Sequence, residues 1–364
     1  MPSVLFCCVA YASGGCVLSS NPLPREHIRA DEPPFENDNS RLVALSGDDA
    51  PSAAELADRF RSFTVWLIVA SIAIAIAMEA AVRVRIDPGG AYIFDWIVAA
   101  MLVISRMWWQ RSGLERVADV AGTVGLVGLG GMACGAIAML ELRFGLPLAD
   151  PMLWSLDRSI GFNGIAVVDM LVRQGHWIFA IMAPSYNYTV PLFFAGLIIL
   201  SLMGERVEAW RAAFCFVGTL LTTCIIAIAV PAKGLAMWAP QELLDRLPPV
   251  AMRSFWPHFD EFYFGADPVL RLQAIDGVVS YPSFHCVVGF LVLAMWRKNI
   301  WTLIASGTWL AFMLLATLPG GGHYLIDLIA GFVVWAAWFA LSRRSEGWTS
   351  VRRGRNAGLE PVTA

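Results

Sequence analysis

Long apolar stretches that contain no Asp, Glu, Lys or Arg recur along the chain from about residue 63 onward. Residues 177–203 and 299–322 are two of them, with 27 and 24 residues. About 20 consecutive apolar residues suffice for a helix to cross the hydrocarbon core of a bilayer. The pattern therefore predicts about eight membrane-spanning helices, at residues 63–82, 92–109, 119–140, 183–203, 211–231, 279–296, 300–318 and 324–342.

The amino-acid composition indicates the same class of protein. Hydrophobic residues make up 57% of the chain and charged residues only 15%, whereas soluble domains carry about 25% charged residues. This composition excludes a soluble globular protein, a nucleic-acid-binding protein and a disordered chain. We therefore expect an all-α polytopic membrane protein, and the net charge of −3 does not change that expectation.

The two ends of the chain differ from its apolar middle. Residues 21–60 contain five prolines and nine acidic residues, a composition typical of disorder, so residues 1–60 are predicted to form a disordered or loosely ordered tail. Residues 343–364 form a basic tail after the last predicted span. Three of the seven cysteines lie in the first tail and four in apolar spans. No Cys-x-x-Cys pair indicates a metal or redox site.

The distribution of basic residues predicts the orientation in the membrane, because loops rich in Lys and Arg stay on the cytoplasmic side. The Arg297-Lys298 turn and the five arginines after the last span are the clearest markers. With eight crossings and a cytoplasmic N-terminus, 17 of the 26 basic residues lie in cytoplasmic segments. We therefore expect a multi-pass protein of the cell (inner) membrane, with both termini in the cytoplasm.

Two of the five histidines lie at the start of predicted helices. His285 ends the sequence Tyr-Pro-Ser-Phe-His, in which Ser283 is placed to cap a helix N-terminus. His323 follows three glycines at residues 320–322, and Asp327 lies four positions further on. That spacing puts both side chains on one face of a helix. An acidic residue inside the first turns of a membrane helix is costly and is usually functional.

The predicted topology brings the two histidines to the same, extracytoplasmic side, because two crossings separate them. Helix N-termini bind anions, phosphate above all, and glycine lets backbone N–H groups approach a ligand closely. Two histidines, one aspartate and two helix N-termini together favour phosphoryl transfer. One histidine attacks phosphorus, the aspartate orients that histidine, and the other histidine protonates the leaving oxygen. Two other interpretations remain, namely a zinc or iron site on these side chains and a tight turn without chemical role.

The motifs Pro-Ser-Phe-His at residues 282–285 and Gly-Gly-His-Tyr-Leu-Ile-Asp at residues 321–327 resemble the second and third motifs of the type 2 phosphatidic acid phosphatase superfamily. The Phe after the serine and the His-Tyr-x-x-Asp pattern are most similar to the branch containing inositol phosphorylceramide synthase and its bacterial relatives. The resemblance covers residues 150–340. It implies a six-helix membrane core within residues 142–342 and makes residues 61–141 three additional transmembrane helices.

The resemblance also implies roles for the residues that match. His323 is the expected nucleophile, Asp327 its orienting carboxylate and His285 the general acid to the leaving group. No metal and no cofactor are expected. The residues expected to help hold the phosphate are Ser283, Gly321 and Gly322.

The chain departs from the superfamily pattern at two expected arginines. The first motif has Lys, six residues and then Arg-Pro, but Lys233 is followed at that spacing by Pro240. Ala316 and Thr317 occupy the Ser-Arg positions of the third motif. Because a phosphate needs compensating cations, Arg271 is the first candidate and Lys233 the second, with a place at the membrane boundary as the alternative for Lys233.

Tyr186 and Asn187 form a polar group at the start of a long apolar span, between Pro184 and Pro191. We expect them to bind substrate; the alternative is hydrogen bonding to neighbouring helices.

Two classes of function fit these features. The favoured one is a membrane enzyme that acts on a phospholipid or sphingolipid through a phosphohistidine. Water as acceptor makes it a lipid phosphatase, and a lipid or polyol hydroxyl makes it a phosphotransferase; the resemblance favours transfer of a head group such as inositol phosphate. The other class is a non-catalytic lipid-binding or transport protein. No nucleic-acid partner is expected, and the oligomeric state stays open.

Overall fold

The computed structural model describes residues 52–87, 93–108, 113–249, 251–271, 275 and 277–357. The first part of the predicted tail lies outside these residues, together with its cysteines Cys7, Cys8 and Cys16. For the last part of the tail the prediction of disorder is wrong, because helix α1 (Ala53–Val82) begins inside it. Ser52 Oγ accepts a hydrogen bond from Glu55 N, and Glu55 Oε2 accepts one from Ser52 N. This capping box stabilises the helix start ten residues before the predicted span.

The described residues are mostly helical. Beyond α1, the helices are α2 (Ile93–Trp108), α3 (Glu115–Leu140), α4 (Asp150–Ser159), α5 (Gly164–Arg173), α6 (His176–Asn187), α7 (Thr189–Met203), α8 (Arg206–Ala229), α9 (Gln241–Leu244), α10 (Trp256–Phe264), α11 (Phe284–Met295), α12 (Ile300–Gly321) and α13 (Leu325–Ala357). Two short strands, β1 (Arg85–Asp87) and β2 (Val269–Arg271), pair in parallel with Asp87 opposite Arg271. Helix α13 continues into the predicted basic tail.

The fold class is confirmed as that of a multi-pass, all-α membrane protein. Five helices in the described part of the chain are long and apolar enough to cross a membrane: α1, α3, α8, α12 and α13. Helices α6 and α7 add a sixth if counted as one span, bent by 47°. The count of eight is not confirmed, because α2 has 16 residues and α11 only 12, fewer than the 17 to 25 or so that span a bilayer.

Helix α3 packs against α8 through a buried carboxylate. Asp119 of α3 is fully buried and accepts hydrogen bonds from Arg206 Nε at 2.6 Å and Trp210 Nε1 at 2.9 Å, both on α8. The Trp210 ring packs directly against Gly122, because a Cβ at residue 122 would lie only 3.0 Å from the ring. A buried acid inside a membrane helix is tolerated only when it is paired, so this contact fixes α3 against α8.

A second charged cluster joins α8 to the turn between α11 and α12. Glu208 accepts hydrogen bonds from Arg297 at 3.0 Å and from Arg211 at 3.3 Å, and Lys298 lies 2.7 Å from Glu205. Helix α11 separates this cluster from His285, because Arg297 follows the end of that helix and His285 lies in its first turn. The basic turn and the histidine therefore lie at opposite ends of α11.

Candidate active site

His323 lies in the three-residue connection between α12 and α13 and is 4% exposed. Gly322 ends α12 with a left-handed backbone (φ 68°), which favours glycine. The Nδ1 atom of His323 lies 3.0 Å from the carbonyl oxygen of Ser280 and 3.3 Å from Oδ2 of Asp327. A carbonyl oxygen only accepts hydrogen bonds, so we assign the proton of the neutral ring to Nδ1. The other nitrogen, Nε2, then carries the lone pair.

Asp327 lies in the first turn of α13 and is fully buried. Its Oδ2 accepts hydrogen bonds from the backbone N–H of Tyr324 at 2.9 Å and from the hydroxyl of Ser280 at 3.3 Å, besides its contact with His323. Its Oδ1 has no hydrogen-bond partner among the described residues. The carboxylate is thus held in one orientation toward Nδ1.

His285 lies in the first turn of α11, and its ring stacks on Tyr186 with 4.0 Å between ring centroids and 17° between planes. Ser283 caps the same helix, because its Oγ accepts a hydrogen bond from Cys286 N at 3.4 Å. The backbone N–H of Ser283 donates to the carbonyl oxygen of Asp327 at 3.0 Å. Ser283 therefore ties the start of α11 to α13, and its fully buried side chain is not part of the cavity wall.

A cavity of about 270 Å³, which we call the histidine cavity, brings both histidines together. His285, His323, Tyr186 and Gly321 form one wall. The rest of the lining comes from α3, α8, the segment before α11, the first residue of α11 and Phe255 before α10. These lining residues are Gly131, Cys134, Gly135, Ala138, Leu220, Thr223, Cys224, Phe255, Ile275, Gly277, Val279 and Phe284. None of the described lining residues is Lys or Arg. The hydroxyl of Thr223 is buried in this wall without a partner among the described residues.

Gly321 keeps the reactive side of His323 open. A Cβ built on Gly321 would lie 3.0 Å from His323 Nε2 and 2.6 Å from the Tyr186 hydroxyl oxygen. The carbonyl of Gly322 accepts a hydrogen bond from Leu235 N at 2.6 Å, and the Gly322 N–H donates to Leu318. The space at Gly321 therefore faces the histidine cavity, whereas the backbone of Gly322 is used within the fold.

Three other residues singled out from the sequence lie apart from the histidines. Lys233 Nζ is 2.7 Å from Asp260 and stands 4.1 Å from the centroid of the Trp256 ring. Arg271, in β2, is half-exposed and 3.4 Å from Glu261. Asn187 lines a separate cavity of about 240 Å³ together with Tyr186, Ser254 and three prolines, Pro248, Pro249 and Pro319. We call this the proline cavity; the Tyr186 ring borders both cavities.

Two buried aspartates of α4 support the site, although the sequence pattern assigns no role to either. Asp157 accepts hydrogen bonds from the backbone N–H groups of Leu325 and Ile326, both at 2.9 Å, and so caps α13. Burial raises the pKa of the Asp157 carboxyl. Two sequence signals pointed to Asp157 without assigning it a role. It lies on an amphipathic stretch, which is also the usual signature of a solvated helix face, and the pair Leu156-Asp157 resembles the same branch of the superfamily.

Asp150 forms the second support. Its carboxylate accepts hydrogen bonds from the backbone N–H of Lys233 at 3.0 Å, from that of Gly234 at 2.7 Å and from the Tyr324 hydroxyl at 2.9 Å. Trp238 Nε1 donates to the same hydroxyl at 2.8 Å. Burial raises the pKa values of both Asp150 and Tyr324. These bonds hold the residue after His323 against the segment 233–238.

No group of three or more His, Cys, Asp and Glu side chains within the described residues is arranged to hold a metal ion. His285 and His323 share a cavity wall, but the Asp327 carboxylate is directed to Nδ1 of His323. The arrangement instead offers a nucleophilic nitrogen, a second histidine and room for a substrate.

Comparison with known proteins gave one family. The family model described as the PAP2 superfamily matches residues 151–341, a range that includes both histidines and Asp327 and begins after α3. No curated protein and no solved structure matches the chain.

Proposed function

Since the chain belongs to the PAP2 superfamily, whose members are generally phosphatases or phosphotransferases, we propose that it is a membrane enzyme that cleaves lipid phosphate esters through a phosphohistidine on His323. The observation that carries the proposal is the hydrogen bonding of Nδ1, which leaves Nε2 as the free nitrogen beside the space at Gly321. A nitrogen lone pair held in this way is a suitable nucleophile toward phosphorus.

The proposed reaction has two steps. In the first, Nε2 of His323 attacks phosphorus, the bond from phosphorus to the leaving oxygen breaks, and His285 gives that oxygen a proton. In the second, an acceptor hydroxyl attacks the phosphohistidine, its proton passes to His285, and the N–P bond breaks. The Asp327 carboxylate stabilises the positive charge on the His323 ring, since its Oδ2 accepts the hydrogen bond from Nδ1.

A hydroxyl acceptor, and hence transfer rather than hydrolysis, is our proposal for the second step. It is supported by the proline cavity, which meets the histidine cavity at Tyr186 and offers Asn187 and Ser254 as polar side chains. One substrate can occupy each cavity. The motif resemblance to inositol phosphorylceramide synthases favours an inositol phosphate-like head group and a lipid or polyol hydroxyl as acceptor. Water as acceptor, giving a lipid phosphatase, is the alternative outcome.

For the cation that a bound phosphate needs, we propose Arg271 and Lys233. Each is paired with a carboxylate, Glu261 or Asp260, so contact with phosphate requires an exchange of partner. A higher KM with unchanged kcat in Arg271→Gln or Lys233→Gln supports this role, whereas an unchanged KM in both variants excludes it.

We propose that the site faces the extracytoplasmic side. Arg297 and Lys298 lie at the end of α11 opposite to His285, and basic turns stay in the cytoplasm. The cell (inner) membrane and cytoplasmic termini are part of the same proposal.

The decisive experiment uses purified protein and a panel of labelled phospholipids and sphingolipids, with and without inositol. Turnover that is lost in His323→Ala supports the enzyme. A new labelled lipid that carries the donor's head group and forms only when a lipid hydroxyl acceptor is present supports transfer, as does a soluble inositol phosphate that forms only with inositol. Release of free phosphate or phospho-head group without an added acceptor supports hydrolysis. Unchanged turnover in His323→Ala excludes the phosphohistidine, and lipid binding without any turnover favours a binding or transport protein.

A further inference from the structure

Two of the helices that precede the matched family region, α1 and α3, line a second cavity. This apolar cavity, of about 330 Å³, lies between α1, α3 and the two strands. Representative lining residues are Ile72, Ala75, Ile86, Met132, Ala136 and Leu270. Glu79, near the end of α1, is the one charged side chain among the described lining residues. Such a surface binds hydrocarbon and offers a phosphate group almost no hydrogen-bond partner.

One residue is shared by the linings of the apolar cavity and the histidine cavity. Ile275 lines both of them. Its Cγ2 occupies the place that a Cβ on Gly135 would take, so the side chain lies directly on α3. Helix α3 also lines both cavities, with Gly131 and Gly135 on one side and Met132 and Ala136 on the other. The two cavities are therefore neighbours along one wall.

The apolar cavity is open on its outer side. Ile72 is 37% exposed, Ile76 62% and Ile86 42%, and α1 and α3 are both helices able to span the membrane. The medium that contacts these side chains in a bilayer is lipid hydrocarbon, which enters an apolar groove without loss of polar contacts. A lipid can thus reach the cavity sideways from the membrane.

We propose that the apolar cavity binds one hydrocarbon chain of the lipid phosphate whose phosphate group occupies the histidine cavity. This inference rests on the proposed function and adds to it the place where one chain of the substrate binds. It assigns the helices before the family region a direct role in substrate selection. Each buried methylene group contributes about 0.8 kcal/mol to binding, so the site discriminates between long and short chains.

The first test fills the cavity and compares two substrates with the same head group. Ala75→Phe places a large ring into the cavity, and Ala73→Phe is the matched control, because Ala73 lies two positions away, is exposed and does not line the cavity. Release of phosphate from dipalmitoyl and dibutyryl phosphatidic acid is measured in detergent micelles. We expect Ala75→Phe to lower kcat/KM about tenfold for the dipalmitoyl substrate only, which corresponds to about two displaced methylene groups.

Met132→Trp fills the same cavity from α3 and serves where Ala75→Phe does not fold. The proposal is overturned if a folded filling variant treats both substrates as the wild type does, or if it impairs both substrates equally. It is also overturned if Ala73→Phe has the same chain-length effect.

A binding measurement separates this proposal from the proposed function. Phosphatidic acid with a photoreactive diazirine at the end of one chain is crosslinked to wild type and to His323→Ala, and the labelled peptides are mapped. We expect label on α1 and α3 in both proteins, competed by dipalmitoyl phosphatidic acid and not by phosphatidylcholine of equal chain length. Label elsewhere, or equal competition by phosphatidylcholine, overturns the chain site even if the enzyme is active. Specific label without turnover leaves the chain site intact and refutes the activity on this substrate.

Discussion

The carbonyl oxygen of Ser280 lies 3.0 Å from Nδ1 of His323, closer than the Asp327 carboxylate at 3.3 Å. Both acceptors keep the proton on Nδ1, because a carbonyl or an ionised carboxylate can only accept a hydrogen bond. Only the carboxylate also supplies a negative charge, which stabilises the His323 ring when it becomes positively charged. Ser280 precedes α11 and Asp327 lies in α13, so the orientation of His323 depends on the packing of the two helices.

Asp327→Asn therefore tests charge separately from orientation. The variant loses the carboxylate charge, while the Ser280 carbonyl still holds the proton on Nδ1. We expect kcat/KM to fall about a hundredfold, at the low end of the range for losing one acid–base or electrostatic contribution. The measurement is steady-state turnover of a lipid phosphate by folded protein. A loss as complete as that of His323→Ala would show that the carboxylate, and not the carbonyl, controls the tautomer.

The two histidines should differ on a substrate with a good leaving group. Within the described residues, no carboxylate is paired with His285 as Asp327 is with His323, which suits a proton donor, and general-acid help is worth about 10²–10⁴-fold. We expect His285→Ala to retain measurable activity on nitrophenyl phosphate and His323→Ala to have none. Acid-quenched phosphoenzyme should form in the first variant and be absent from the second. The reverse pattern means that the nucleophile and the acid are exchanged.

Gly321→Ala should block the reaction by displacing side chains of the site. Gly321 is helical, so alanine suits its backbone, but the added Cβ would lie 2.6 Å from the Tyr186 hydroxyl oxygen and 2.7 Å from Cδ2 and 3.0 Å from Nε2 of His323. We expect kcat/KM to fall at least a hundredfold, because a displacement of about 1 Å costs roughly that much. Gly307→Ala is the matched control on the same helix, since its Cβ meets only Leu293 at 3.8 Å. Equal activity of the two variants would place the reacting phosphate elsewhere.

The local part of the site could be predicted from the sequence. His323 and Asp327 are four residues apart, and helix geometry alone brings them close. The encounter of His285 with His323 followed from counting crossings. The contacts of Asp157 and Asp150 could not be predicted, because these carboxylates accept hydrogen bonds from N–H groups 168 and 83 residues further along the chain. Nor does an apolar pattern say which helices pack together, so the contribution of α3 to the histidine cavity had no signal in the sequence.

Helix lengths show a similar limit. Hydropathy predicted a span over residues 279–296, but the helix begins only at Phe284 and ends at Met295. Two residues before it, Ser280 and Ser283, instead make hydrogen bonds to His323 and Asp327. An apolar sequence does not distinguish a helix from such a buried connection.

Asp157→Ala should destabilise the protein by about 1–2 kcal/mol, the usual cost of removing a side-chain helix cap. Two backbone N–H groups at the start of α13 lose their acceptor. Thermal unfolding in detergent micelles measures the effect. Asp245→Ala is the control, because Asp245 is exposed and accepts a hydrogen bond only from the Gln241 side chain among the described contacts; such a change costs at most about 0.5 kcal/mol. Equal stability of the two variants would contradict the capping role.

The orientation in the membrane can be tested with two single cysteines. Asp245 lies on the loop that meets Gly322 near the site, since Leu235 N of that loop donates to Gly322, whereas Lys298 lies at the other end of α11, with its side chain 59% exposed. In a background with Cys7, Cys8 and Cys16 changed to Ser, the four remaining cysteines are buried. We expect an impermeant maleimide added to intact cells to label Asp245→Cys and not Lys298→Cys, because the Arg297-Lys298 turn stays in the cytoplasm. Permeabilised cells should label both. Labelling of Lys298→Cys alone in intact cells would reverse the orientation and place the histidine cavity on the cytoplasmic side.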